Sequence, residues 1–181
     1  MRAQPLNMVR LIDGADEQRR SHFPLNDFAE EEDGTFMDTM FFYWQAMRMP
    51  HSLIPKVSDF RPREVFSEAN MERYHSVDVR PVEPPNFVMR EHPGGKVADR
   101  YGNISDKPIS QFPSRIHAEA CSAEYNLCRT LGFPQYHEID QIVCGYSRRY
   151  RRLLLPLADE TGNVVRLAYV IRLLEPIARV F

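Results

Sequence analysis

The sequence has little cysteine. Its three, Cys121, Cys128 and Cys144, cannot all pair and fall in no Cys-x-x-Cys spacing, which excludes a disulfide framework and fits a reducing compartment. Glycine is nearly as sparse at eight residues, and Pro93-Gly94-Gly95-Lys96 leads into no strong helix, so no phosphate-cradling loop is present. There is no Gly-x-Ser-x-Gly elbow to expose a nucleophilic serine. Apolar runs break long before the roughly 20 residues a bilayer requires, and the first residues carry no apolar segment of signal-peptide length. The expectation is a cytoplasmic protein with no membrane partner. A net charge of -2 shows no excess of either sign, which argues against a broadly basic nucleic-acid binder and leaves only local patches.

Apolar side chains are plentiful, at 43% of 181 residues, enough to close one core but not two. Residues 1–34 are polar and acidic, with the like-charged run Glu30 to Asp33, and read as a mobile acidic arm. Within the arm, Met8 to Ile12 is a short apolar patch that could pair as an edge strand or dock on a partner. Residues 35–181 read as a single domain that begins with a helix over 35–49. Thr35 and Asp38 form a capping-box pattern at its start, and Pro50 ends it. Met37, Met40, Phe41, Trp44 and Met47 recur at helical spacing, while Phe36, Phe42 and Tyr43 widen the apolar surface beyond one stripe. Such a helix is either sandwiched in the fold or seamed against a second copy. The expectation is a homodimer through helix 35–49.

His75 to Val79 and Asn86 to Glu91 read as two short strands joined by a Pro-rich link. A second helix is predicted from Ser114 to Leu131, with Pro113 before its Ser cap, Gly132 after it, and Ile116, Ala120, Ala123, Leu127 and Leu131 on one face. Three strands follow: Glu138 to Tyr146, Arg149 to Leu157, and a last one in which Val165, Leu167, Tyr169, Ile171 and Leu173 face the core while Arg166 and Arg172 face a partly wet side. This order describes an α+β layout with an antiparallel sheet.

The stretch from Tyr43-Trp44 to Arg48, the segment Ile54-Pro55 to Asp59-Phe60-Arg61-Pro62, and Tyr150 to Asp159 followed by Gly162 resemble a group of bacterial stand-alone PAS-like (Per-Arnt-Sim) domains of unknown function. The likeness spans Met40 to Leu174 and rests on core and turn residues. It implies a five-stranded antiparallel sheet with helices packed on one face, plus the N-terminal helix. The wider superfamily binds haem, flavins or small metabolites, or simply dimerises. The flavin-domain cysteine setting is missing here, so the cofactor stays open. Arg90 to Gly95 matches the family pattern after the second strand only loosely, which leaves that strand's register open.

The function expected from these readings is a sensory or interaction module that binds a small ligand between sheet and helices and signals through dimer contacts. The alternative is a small cone-type α+β enzyme, a hydrolase or isomerase, with an apolar pocket. No catalytic set and no metal set assembles from the sequence, although His117 and Cys121 sit one helical turn apart. Cys144 reads as a small core residue within a strand. The ligand walls are expected to include Tyr101, His117, Cys121, Tyr125 and Tyr169. Arg148 to Arg152, interleaved with Tyr146 and Tyr150, is the strongest local anomaly. Alternation divides it between two sheet faces, so a solvated sheet face, with arginines paired to the acidic arm or lying over helix aromatics, is preferred to a base-stacking surface.

Overall fold

A computed structural model of the chain describes residues 4–25, 35–48, 52–92 and 103–180. The strands are β1 (Asn7–Asp13), β2 (Asp16–Phe23), β3 (Tyr74–Asp78), β4 (Val88–Glu91), β5 (Gln135–Val143), β6 (Tyr146–Ala158), β7 (Val164–Leu173) and the short β8 (Ala178–Arg179). The helices among the described residues are α1 (Phe36–Ala46), α2 (Pro62–Val65), α3 (Glu68–Met71) and α4 (Arg115–Leu131). One antiparallel sheet runs in the order β1-β2-β5-β6-β7-β3-β4, with β8 beside the start of β6. The α+β class expected from the sequence is therefore observed, but the sheet is wider than five strands.

Its two extra main strands come from the segment expected to be a mobile arm. Residues 7–23 form a hairpin closed by Gly14 at φ +60°, and β2 then pairs along β5 from Glu17↔Ile142 to Phe23↔Tyr136. Polar strands of this kind carry weak sequence signals, because β2 reads Asp-Glu-Gln-Arg-Arg-Ser-His-Phe and hides its alternation in charge. Glu30 to Asp33 lie outside the described residues. β3 and β7 pair directly, so the two ends of the main domain meet in the middle of the sheet. The register of β4 is Val77↔Met89 and Asp78↔Val88, after an irregularity between Ser76 and Val77.

Helices cover both faces, not one. On one side α1 lays Phe36, Met40, Phe41 and Trp44 over Leu153, Leu155, Leu157 and Val170. On the other, α4 lays Ala118, Cys121, Tyr125 and Cys128 over Leu154, Leu167 and Tyr169. The sequence of β6 explains this: Leu153-Leu154-Leu155 is apolar without alternation, so both sides of that strand need cover. For the same reason Leu167 to Val170 of β7 are all buried, while Arg166 and Arg172 at its ends are half-buried, as expected of a partly wet face, and Leu173, expected in the core, is exposed.

Helix α1 starts at Thr35, whose N–H donates to Asp38 Oδ2 at 3.1 Å. Trp44 Nε1 donates to the Pro156 carbonyl at 2.8 Å, which locks the helix onto β6. The apolar excess that suggested a dimer seam is largely covered by the chain itself, including Phe60, Phe66 and Met71; Phe42 remains exposed. Met49 lies outside the described residues. Helix α4 is capped by Ser114, whose Oγ accepts from His117 N–H at 3.4 Å, and ends at Gly132 with φ +67°. Its buried stripe is set one position away from the Leu127–Leu131 edge, and those two leucines are exposed. Cys144 is exposed and sits with Gly145 in a two-residue hairpin turn, both at positive φ, and not within a strand.

Candidate functional site

Three elements that burial alone would keep apolar meet through charge. β2 carries Arg20, β6 carries Arg152, and α4 carries His117, Cys121 and Glu124 on one face at the i, i+4, i+7 spacing. Arg20 is 4% exposed and Arg152 1% exposed. Guanidinium groups stay charged, so such burial demands anionic partners. Glu124 Oε2 accepts from both Arg20 Nη1 and Arg152 Nη2, and Arg20 Nε donates to Gln18 Oε1 at 2.8 Å. The two guanidiniums, acting against the desolvation that opposes ionisation, hold the Glu124 carboxyl far below the usual carboxylate range.

Cys121 lies inside the same cluster. Its Sγ is 3.8 Å from Arg20 Nη2, 3.8 Å from Arg152 Nη1 and 3.7 Å from His117 Nε2. Arg20 Nη2 also lies 3.1 Å from His117 Nδ1. A guanidinium can only donate, so Nδ1 accepts and the ring proton sits on Nε2, pointing at sulfur. Burial alone would push this thiol up. Interactions with His117, Arg20 and Arg152 outweigh it and hold Cys121 well below an ordinary cysteine. By contrast, burial pushes Cys128 up, and partial burial beside Asp16 pushes Cys144 up.

A small cavity of about 40 Å³ opens on the sheet side of this cluster, walled by His75, His117, Cys121, Tyr125, Arg152 and Tyr169 among others. Four of the five residues expected as ligand walls thus come together; Tyr101 lies outside the described residues. His75 stacks on Tyr169 with ring centroids 4.5 Å apart, and Tyr125 lies 5.8 Å from Tyr169. His75 Nδ1 and His92 Nδ1 are 3.1 Å apart. Burial, then the neighbouring His92 and arginines, hold His75 well below the ordinary histidine value; burial and Arg148 lower His92 to about 4. Both rings are therefore neutral at pH 7. The Nε2 atoms of His75 and His92 and the Nε of Arg152, all from residues that line this cavity, are buried without a protein partner. A second cavity of about 40 Å³ shares His92, Phe112 and His117 with the first.

Arg20 and Glu124 also form the floor of a larger groove, about 340 Å³, between α4 and the β1–β2 hairpin. Val9, Leu11, Ala123 and Leu127 line it, so the ion cluster is a wall between an apolar outer groove and a polar inner cavity. No group of three or more His, Cys, Asp or Glu side chains among the described residues is arranged to hold a metal ion. No helix among them is long and apolar enough to cross a membrane.

The arginine run 148–152 divides as alternation requires. Arg149 and Arg151 both reach Glu138 on one face, while Arg148 and Arg152 turn inward on the other. The expected solvated face is thus half right: the inward pair is buried, and Arg152 pairs with Glu124 of α4 and not with the acidic arm, while it does lie over a helix aromatic, Tyr125. What sequence reasoning missed was Arg20 and Glu124, one placed in a mobile segment and the other unremarked on a helix. The available signal was the shared parity of Arg148, Tyr150 and Arg152 with Leu154 in one strand, which put cations on a core-facing side. Comparison of the chain with family models, curated proteins and solved structures returned no match.

Proposed function

We propose that the chain is a PAS-like sensory module that binds a small molecule in the cavity between its sheet and α4. The observation that carries this reading is the small cavity itself, lined by polar as well as apolar side chains. Interiors of this size are ordinarily filled by apolar side chains, yet here His75, His117, Cys121, Arg152 and two tyrosines converge on unfilled space. At about 40 Å³ the space admits only a few water-sized groups. The occupant is therefore a compact polar molecule of a few non-hydrogen atoms whose acceptor atoms meet the arginine and histidine nitrogens.

Reporting through contacts between two copies is the second part of the proposal. Helix 36–46 offers Phe42 for such a contact, and the outer edge of β1 offers Met8 and Ile12, all exposed. Native mass spectrometry of the purified full chain, with His117→Ala beside it, tests the first part. A bound small molecule in the intact chain, weakened at least tenfold by His117→Ala, supports the reading. An empty chain that no compact polar molecule stabilises in a thermal-shift panel overturns it.

A further inference from the structure

The two buried guanidiniums of the cluster face one carboxylate, and three N–H donors converge on the only sulfur between them. A thiolate at Cys121 balances the second guanidinium charge; a thiol would leave it uncompensated in a desolvated site. We propose that Cys121 is a peroxide-reactive thiolate, oxidised by a small hydroperoxide that enters the adjoining cavity. This rests on the reading of that cavity as the ligand site and names the class of molecule it admits.

The groups facing the sulfur come from every element around it. Helix α4 supplies His117, Glu124 and Tyr125; β2 supplies Arg20. From the sheet face, β6 supplies Arg152 and Tyr150, and β7 supplies Tyr169. Tyr125 and Tyr169 are pushed up by burial and stay neutral near pH 7, so the cationic groups and Glu124 set the local field. Independent of the cysteine, His75 is 4% exposed, lines the same space and leaves its Nε2 without a protein partner. The volume selects among oxidants. Hydrogen peroxide fits about 40 Å³, whereas disulfides and bulky aromatic thiol reagents do not.

The step balances as a two-electron oxidation. The Sγ lone pair attacks one peroxide oxygen, the S–O bond forms as the O–O bond breaks, and hydroxide leaves with that bond's electron pair. The hydroxide takes a proton from solvent, so sulfur is oxidised to the sulfenic acid and peroxide is reduced to water. Cys128 is seven residues away and bonded to the Phe133 carbonyl at 3.4 Å, so it is not poised to resolve the product as a disulfide.

The contrast with Cys144 supplies the test. On exposure alone Cys144 should react first, since it is the exposed cysteine and Cys121 is 1% exposed. The full-length chain is treated with hydrogen peroxide for timed intervals, quenched with catalase, unfolded in denaturant containing dimedone and digested, and the adducts are located by mass spectrometry, with Cys144→Ser and Cys121→Ser beside it. The expected result is labelling at Cys121 at least tenfold faster than at Cys144, a rate nearly flat between pH 6 and 8, and full labelling retained in Cys144→Ser. Labelling at Cys144 ahead of Cys121, or a Cys121 rate that falls about tenfold per pH unit on acidification, overturns the proposal. The ligand reading fails separately, through the empty chain described above. A chain that carries a bound small molecule but leaves Cys121 unlabelled keeps that reading and sinks this one.

Discussion

Arg152 shows most clearly how one residue organises the interior. A guanidinium 1% exposed is tolerable only because Glu124, Cys121 and the faces of Tyr125 and Tyr169 surround it, the ring centroids lying 5.2 and 6.0 Å from its carbon. Removing one partner of a buried ionic group leaves the other uncompensated, which costs about 3–5 kcal/mol. Glu124→Gln leaves two guanidiniums to share the Cys121 thiolate, whereas in Arg152→Met Arg20 still pairs Glu124 and Cys121 can take up a proton. Urea unfolding should therefore show Glu124→Gln as the more destabilised of the two variants. The reverse order would mean that the cations are compensated elsewhere. Sequence reasoning reached Tyr169 because strand periodicity places it on an inward face, and His117, Cys121 and Tyr125 through the PAS-like layout, since the helical stripe read from periodicity was Ile116, Ala120, Ala123, Leu127 and Leu131. It did not reach Arg20 or Glu124, because their roles exist only once β2 has joined the sheet 104 residues away in sequence from its partner on α4.

At the scale of elements, local chemistry settled the helix ends and tertiary packing settled the rest. Thr35 and Asp38 at one helix, and Ser114 and Gly132 at another, act as short-range signals that need no partner from elsewhere. Gly132 has φ +67°, and a Cβ there would come within 3.0 Å of Ile54 Cδ1. Gly132→Ala should lower stability by about 1–2 kcal/mol from the left-handed backbone alone, read as a drop in melting temperature. An unchanged melting temperature would show that the helix end relaxes freely. Of the strands of residues 7–23, β1 was legible only as the Met8 to Ile12 patch that could pair at an edge, and β2 was not, because its register is set by pairing with β5 and its charged residues carry no apolar period. The role of α1 was legible in kind: its girth required cover on more than one side. Phe41 is 6% exposed in the chain's own core, so Phe41→Glu should unfold the protein and not merely split a dimer. Circular dichroism distinguishes the two: retained helix and strand signal with a smaller particle would contradict the packing described here.

Across the whole molecule, the buried histidines tie stability to pH. His137 is lowered to about 3 by burial, and His92 to about 4 by burial and Arg148. In the unfolded chain both titrate near 6.5, so below that value the unfolded state binds protons that the folded state refuses. Stability is therefore fully present above about pH 6.5 and declines as pH falls toward the folded values. The urea midpoint should drop measurably between pH 7 and pH 5, above the range where unfolded carboxylates titrate, and the drop should shrink in His137→Gln. A midpoint constant over that interval would contradict the burial of neutral histidines.

The claim on which the site depends is that the cluster of Arg20, Glu124, Arg152 and His117 holds Cys121 as an anion inside the fold. Thiolate absorbance at 240 nm, followed against pH in the native chain and in Cys121→Ser, measures this directly. Burial holds Cys128 above the ordinary cysteine value, and Asp16 and partial burial do the same for Cys144, so the difference between the two proteins reports Cys121. The account predicts a difference signal already present at pH 7 and persisting to at least pH 6. A difference that appears only above about pH 8, where an ordinary cysteine ionises, would contradict it.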